Sequence, residues 1–543
     1  MQNRKLALAA LAAASIQATG AIAQTVPWRV VAAESSGVVV AGLPAAGRYI
    51  YDVSVGDVGN GLVGLRVSSP DSSAGYWARQ QGTFKRYTQV GVTGAYGPGR
   101  SGAEATHVFS SVTSGGSGAG ADGQRAFLAR AGAPGAPEGA TWGLWRWNTA
   151  QNVEVARVLT DGALGPGLGA GWVFPNASDF TSGRMMNGGR VLLDADVTSP
   201  TGASSHLIAK HVPGQGNQPC MRAGATDPLL APGLSAGDSF GSSWSFSNLA
   251  LTPEGRVYGD FSASGSRAGI WEICAGAPHA IAVNAEAGVR GPDIGIATAT
   301  YTSEIYPPYP GNDGAIVFFA YFRPTSGDSS RLGLFRNDGA GNRPLAMNDA
   351  TGDYGPHWEG STWRVFNTDS LSVAGEYAAF SGGVTTSDGG DPNGLWRARK
   401  GGVPELVALI GLTGSYGPEA NRTWRSFGAS AVLANGDIVL EAQTDPGDEH
   451  ALWLLQGGHA PRRMLQNGQN VGVPTATGTV QAALISFDLP NGGALTSRGG
   501  DGWIGLDGTI LIAAGINGYS GTSWLMAQPS NPIDRIFRNG FEG

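Results

Sequence analysis

The sequence predicts an all-β fold: a β-propeller of four-stranded blades, eight in number, closed by strands from the N- and C-termini. Three observations predict it. The first is composition. Gly makes up 87 of 543 residues, about 16%, and charged residues only 14%; average proteins carry roughly 7% and about 25%. With 15 Trp and 18 Phe, this is the make-up of short strands joined by tight turns. The second is a recurring hexapeptide: Thr93-Gly-Ala-Tyr-Gly-Pro98, Thr351-Gly-Asp-Tyr-Gly-Pro356 and Thr413-Gly-Ser-Tyr-Gly-Pro418. Each copy follows a Gly-x-aromatic triplet: Gly75-Tyr-Trp77, Gly333-Leu-Phe335 and Gly394-Leu-Trp396. The third is that three separate anchors count the same number of units.

The N-terminus reads as a secretory leader. Arg4 and Lys5 precede an apolar run, Leu6 to Ala14, and Ala21-Ile22-Ala23 is a small-x-small cleavage site. The expected mature chain starts at Gln24, and the run is too short to span a bilayer. Net charge is −7, becoming −9 once Arg4 and Lys5 leave. An acidic chain without a basic run is unsuited to nucleic acid or anionic membranes. No later stretch has 18 uninterrupted apolar residues, so no membrane span is expected.

The units come next. Prolines mark one anchor, at Pro44, Pro98, Pro166, Pro232, Pro292, Pro356, Pro418 and Pro474. A strand residue marks the second, at Trp77, Trp145, Ile208, Trp271, Phe335, Trp396, Trp453 and Trp524. A turn glycine marks the third, at Gly61, Gly123, Gly189, Gly255, Gly314, Gly375, Gly436 and Gly508. Each gives eight units of roughly 60 residues. One unit shows the parts. Gly394-Leu-Trp-Arg397 is a short strand, and Glu405 to Ile410 is a second. After the Tyr-Gly-Pro turn, Trp424 to Val432 is a third. Asn435-Gly-Asp437 is a hairpin signal, and Ile438 to Ala442 is the fourth strand. Four short antiparallel strands repeated in this way mark a propeller blade. A β-solenoid has much shorter turns, and the linkers are too short for a string of separate domains. Seven blades is the alternative if the unit Ser205–Arg267, which lacks the strand aromatic, is irregular.

The ends are out of phase with the units. The chain enters the repeat at Trp28, part-way through a unit that lacks its first strand, and the C-terminal Ser523-Trp-Leu-Met526 supplies one. Pairing the two would remove exposed sheet edges. The expected organisation is a leader at 1–23, the propeller at 24–530 and a tail at 531–543. The two cysteines, Cys220 and Cys274, lie in adjacent units. In an oxidising compartment they are expected to pair, stapling neighbouring blades; two buried free thiols are the alternative.

The unit pattern Gly-Leu-Trp, Leu-Val-Ala, Gly-Pro, Trp-x-x-Phe, Asn-Gly-x-Ile-Val resembles that of an uncharacterised class of secreted bacterial tandem-repeat proteins taken to be β-propellers. The tail Ile536-Phe-Arg-Asn-Gly-Phe-Glu542 is similar to a C-terminal ending found on exported proteins of some Gram-negative bacteria. The resemblances imply a secreted, periplasmic or cell-surface protein. They imply no catalytic residues.

Candidate chemistry is sparse. The seven histidines, His107, His206, His211, His279, His357, His450 and His459, form no His-Glu-x-x-His, and no Gly-x-Ser-x-Gly is present. His206 and His211 do not share a strand face. The repeated Tyr-Gly-Pro reads as turn geometry. No cofactor is expected. Calcium is conceivable at the acidic turns Asp388-Gly-Gly-Asp391 and Asp445-Pro-Gly-Asp448-Glu449, which otherwise read as polar hairpins. Function is expected where the period breaks: residues 99–122, residues 488–502, and Tyr306-Pro-Pro-Tyr-Pro310, whose Tyr306 and Tyr309 are suited to ligand contact. The resulting expectation is a monomeric, non-catalytic propeller that binds an extracellular glycan or protein. The alternative is a polysaccharide-active enzyme, lyase or glycoside hydrolase, with its site at the propeller axis.

Overall fold

The computed structural model describes residues 28–527 apart from breaks, those of five residues or more being 44–48, 56–62, 69–73, 114–123, 243–248 and 489–509. The leader, the tail, Pro44 and most of 488–502 therefore lie outside the described residues.

Eight four-stranded antiparallel sheets follow one another as a ring of blades. Blade I is built from Tyr49–Val55, Val63–Ser68, Gly75–Gln80 and Thr83–Gln89. Blades II to VII occupy 108–157, 180–222, 250–283, 300–347, 362–409 and 423–466. In each, strands adjacent in sequence are adjacent in the sheet, and blades V and VI split the first strand in two. Blade VIII takes Gly478–Asp488, Ile510–Ile516 and Ser523–Ala527 from the C-terminal part and Arg29–Ala33 from the N-terminal part. The closing pair is antiparallel, with Arg29 opposite Met526 and Ala33 opposite Ser523. The Trp28 indole also donates to the Met464 carbonyl of blade VII at 2.9 Å. Closure by both termini, expected from the phase of the ends, is what the structure shows.

Each sheet is covered on both faces by its neighbours, so second strands read as continuous apolar runs rather than alternating ones. Ile316–Arg323, sequence IVFFAYFR, is buried at six of its eight positions. The strand tryptophans are core, with Trp145, Trp271, Trp396 and Trp453 at most 1% exposed.

The phase of the blade differs from that of the sequence unit. The segment from Gly394 to Ala442 supplies the last two strands of blade VI and the first two of blade VII. A covalent repeat has no natural starting point; hydrogen bonding sets the sheet boundary, and it falls at the Tyr-Gly-Pro connector. That connector is a rail of acceptors for the following blade. Its proline carbonyl accepts from the third-strand indole: Trp145 to Pro98 at 3.1 Å, Trp271 to Pro232 at 2.9 Å and Trp396 to Pro356 at 3.1 Å. Its tyrosine carbonyl accepts from the first-strand indole, Trp363 to Tyr354 and Trp424 to Tyr416, both at 2.8 Å. The glycine between them accepts from a buried asparagine, Asn152 to Gly97 at 2.9 Å and Asn217 to Gly165 at 2.7 Å. The first glycine is left-handed, φ +74° at Gly94 and +76° at Gly414. A Cβ on the second would come within 2.5 Å of the Val92 carbonyl at Gly97. The same turn recurs as Gly162–Leu164 and Gly288–Arg290. Leu and Arg can thus replace the tyrosine, so its side chain is not what the turn requires.

Cys220, on the fourth strand of blade III, is bonded to Cys274, just beyond the third strand of blade IV, with Cα atoms 4.5 Å apart. The expected staple between adjacent blades is present.

Candidate functional site

A concavity of about 710 Å³ lies between blades V and VI. Turn residues of both blades form its walls: Asp338 and Arg343 around the last hairpin of blade V, Glu376 and Lys400 on blade VI, with Asp293 and Asp353 from the two connectors. The lower wall is apolar, including Ile294, Pro344 and Leu345, and the Tyr354 side chain sits beside it half-buried. The tyrosine is held in place because its carbonyl accepts the Trp363 indole.

Opposite charges are paired along the walls. Lys400 Nζ lies 2.8 Å from Asp338, and Arg399, just outside the cleft, lies 2.6 Å from Glu376. Arg336, only 4% exposed, pairs with Asp313 and donates to the Gly375 carbonyl across the blade boundary. The Lys400 hydrogen bond holds the Asp338 carboxyl below its usual range, and the Arg399 hydrogen bond does the same for Glu376. Both are fixed as acceptors. Asp293, Asp353 and Arg343 are exposed and make no ion pair among the described residues. A bound molecule would meet unsatisfied acceptors, one guanidinium donor and an apolar wall with an aromatic ring.

A second hollow, about 360 Å³, flanks the same connector and is lined by Gly352 and residues 355–361, among them His357, Trp358 and Glu359. His357 and Glu359 are left-handed, φ +50° and +45°. A non-glycine residue there costs of order 1–2 kcal/mol. Glycine fills the position after the connector proline at Gly99, Gly167 and Gly233, with φ of +65°, +77° and +68°. Trp358 packs partly against the core between blades V and VI.

The residues singled out in the sequence fall elsewhere. Tyr309 is 8% exposed, belongs to the core cluster of blades V and VI and pairs with Val317. Its ring packs within the fold. Tyr306 is partly exposed and tilted against Tyr321, 6.5 Å away. Burial, then the Glu304 charge and Tyr321, push its hydroxyl pKa up to about 12. Neither lines the cleft. In the irregular loop after blade I, Arg100 is clamped to Glu154 at 2.7 Å and to His107 at 3.0 Å, which anchors that segment on blade II. At the acidic turns, Asp391 accepts from Thr385 at 2.9 Å, and Glu449 is held by Arg422 at 2.7 Å and Arg463 at 3.1 Å. Asp448 lies outside the described residues. Among the described residues, no three His, Cys, Asp or Glu side chains gather as a metal would need.

Two histidine clusters escaped the sequence reading. His450 Nε2 lies 2.5 Å from Glu441, with its ring stacked on Phe487 at 4.6 Å. His206 lies between Asp194 and Asp196. His211, on the other face of the same strand, meets Asn217 at 3.1 Å, and burial lowers its pKa. The one available signal was the missing aromatic at Ile208.

A model for a family of unknown function, DUF7453, matches residues 254–504, somewhat under half of the chain. No curated protein matches. Among solved structures, an oligogalacturonate lyase in complex with manganese is 8% identical, with 91% of this chain and 100% of that chain covered at a TM-score of 0.33. The β-propeller domain of the Trilobed protease from Pyrococcus furiosus is 8% identical, covering 77% and 98% at a TM-score of 0.30. An α-L-arabinanase of Penicillium chrysogenum complexed with arabinobiose is 12% identical, covering 70% and 99% at 0.24. These likenesses lie below the level from which a shared activity follows.

Proposed function

We propose that this is an exported, non-catalytic propeller that binds an extracellular glycan in the cleft between blades V and VI. The observation that carries the reading is the make-up of that cleft. An aromatic ring and an apolar wall suit the flat face of a sugar. Carboxylates held ionised, and the Arg343 guanidinium, without an ion pair among the described residues, suit its hydroxyl rim. Groups that must pass protons need pKa values near the working pH. Asp338 and Glu376 are instead driven away from it, which favours binding over turnover.

Two hollows share the connector 352–361. An extended chain lying across it would meet Tyr354 on one side and Trp358 on the other, with the partly exposed Tyr306 as a further candidate contact. The leader at 1–23, the Phe-Glu tail and the resemblance to secreted tandem-repeat proteins support export from a Gram-negative cell. The test is a glycan array on the mature protein, run beside a screen for new reducing ends and unsaturated products. Binding without products supports the reading. Products would support the lyase or hydrolase alternative.

A further inference from the structure

Blade III departs from the repeat in its interior. In five blades the residue two before the strand aromatic is glycine: Gly75, Gly143, Gly269, Gly333 and Gly394. The aromatic ring folds over it, so that a Cβ on Gly143 would stand 3.0 Å from Trp145 and one on Gly394 2.7 Å from Trp396. In blade III these positions hold His206 and Ile208. The second-strand residue opposite the aromatic is Leu65, Phe127, Phe318, Phe380 or Leu440 in blades I, II, V, VI and VII, Gly259 in blade IV and Ala513 in blade VIII, and Asp194 here. The His206 Nε2 lies 2.6 Å from Asp194 Oδ1 and its Nδ1 2.6 Å from Asp196 Oδ1. The Asp194 side chain is 2% exposed. Ionised carboxylates only accept, so opposite two of them a ring with both nitrogens at this distance would donate from both, as an imidazolium does.

Strand alternation puts His206, Ile208 and Lys210 on one face. Ile208 and Leu192 pack into the cluster that contains Phe240, Phe261 and Trp271 of blade IV, so this face is the seam between the two blades. Lys210 reaches across it to the Cys274 carbonyl at 2.5 Å, and the disulfide spans the same seam.

We propose that the seam between blades III and IV is a pH-gated joint, closed while His206 is protonated and loosened once it is neutral. Losing the proton turns a nitrogen lone pair onto a carboxylate and leaves the buried Asp194 without that donor. Asp194 and Asp196 are carboxylates that act on His206. Other charged side chains border the seam: Arg184 donates to the Leu249 carbonyl at 2.8 Å, and Arg190 lies near enough to Lys210 to act on it. Asp238 and Arg267 pair with each other at 3.5 Å, and the Arg222 guanidinium lies over Trp172. Asp260 is on the far face of its strand. Burial by itself would lower the His206 pKa, but the hydrogen bonds and charges of Asp194 and then Asp196 outweigh it and raise it. A raised folded pKa gives stability that is complete below the unfolded value of about 6.5 and is lost as pH rises through the folded value. The disulfide does not titrate, so the joint loosens without the blades parting.

The test uses the intact, disulfide-bonded mature protein labelled at histidine 13Cε1, with His206→Gln assigning the His206 signal. Its titration midpoint is expected above that of free histidine, and lower in Asp194→Asn. In parallel, amide exchange of residues 190–198 and 257–263 is followed from pH 6 to 9 and corrected for intrinsic rates. Wild-type protection should fall by up to about tenfold per pH unit between 6.5 and the folded midpoint, and stay level in His206→Gln. A midpoint at or below free histidine overturns the proposal. So does the same exchange trend in wild type and His206→Gln. If Asp194→Asn does not fold, the wild-type midpoint alone decides.

Discussion

Ending the chain at Gly521 removes the strand Ser523–Ala527, which lies between Ile510–Ile516 and the N-terminal Arg29–Ala33. Its loss strips the backbone ladder from both neighbours and leaves the N-terminal strand largely unpaired. Leu525 is fully buried in the cluster that joins blades VII and VIII. Removing a buried leucine side chain alone costs about 2–5 kcal/mol. Each lost ladder hydrogen bond adds roughly 0.5–1.5 kcal/mol. The total is comparable to the whole stability of a typical domain, about 5–15 kcal/mol. Thermal melting and size-exclusion chromatography give the readout. The chain ended at Gly521 should melt far lower or aggregate. A chain ended at Ser530, which keeps the closing strand, should melt like the full protein. Equal melting of all three would refute closure by the C-terminal strand.

Other outcomes follow from the same contacts. Denatured, unreduced protein should show no free thiol. Replacing both Cys220 and Cys274 with Ala should lower stability by about 2–4 kcal/mol, as expected for opening a loop of this length, measured by denaturant melts. Tyr309→Ala should cost several degrees of melting temperature, because its ring is core, whereas Tyr306→Ala should cost less. Equal losses would contradict the burial difference between them.

Most of the fold was legible because each unit repeats its packing chemistry. Gly94, Gly97 and Pro98 mark a turn whose carbonyls serve the tryptophans of the next blade, so the motif and the strand aromatics recur together. The blade boundary was not legible, because a cyclic pattern looks the same from any starting point. The cleft was not legible either. Asp293, Arg343, Asp353 and Lys400 are single polar residues in turns far apart in sequence, brought together only by blade docking. The burial of Tyr309 was not legible, because an aromatic that breaks the period looks the same in sequence whether it packs in the core of blades V and VI or lies at the surface. The His206 cluster depends on cross-strand register, with His206 opposite Asp196, and composition cannot supply register.

The cleft itself gives the most direct measurement. Neutral gluco-, manno- and xylo-oligosaccharides of two to six residues would be titrated by calorimetry into the mature protein and into Tyr354→Ala and Asp353→Asn, with circular dichroism confirming that each variant is folded. Loss of one sugar-stacking aromatic should weaken binding about five- to thirtyfold, taking roughly 1–2 kcal/mol for the contact. The longer oligomers should bind more tightly than the shorter ones, because they reach the hollow at Trp358. If a bound oligosaccharide is held equally well by wild type and by both variants, the cleft between blades V and VI is not the binding site.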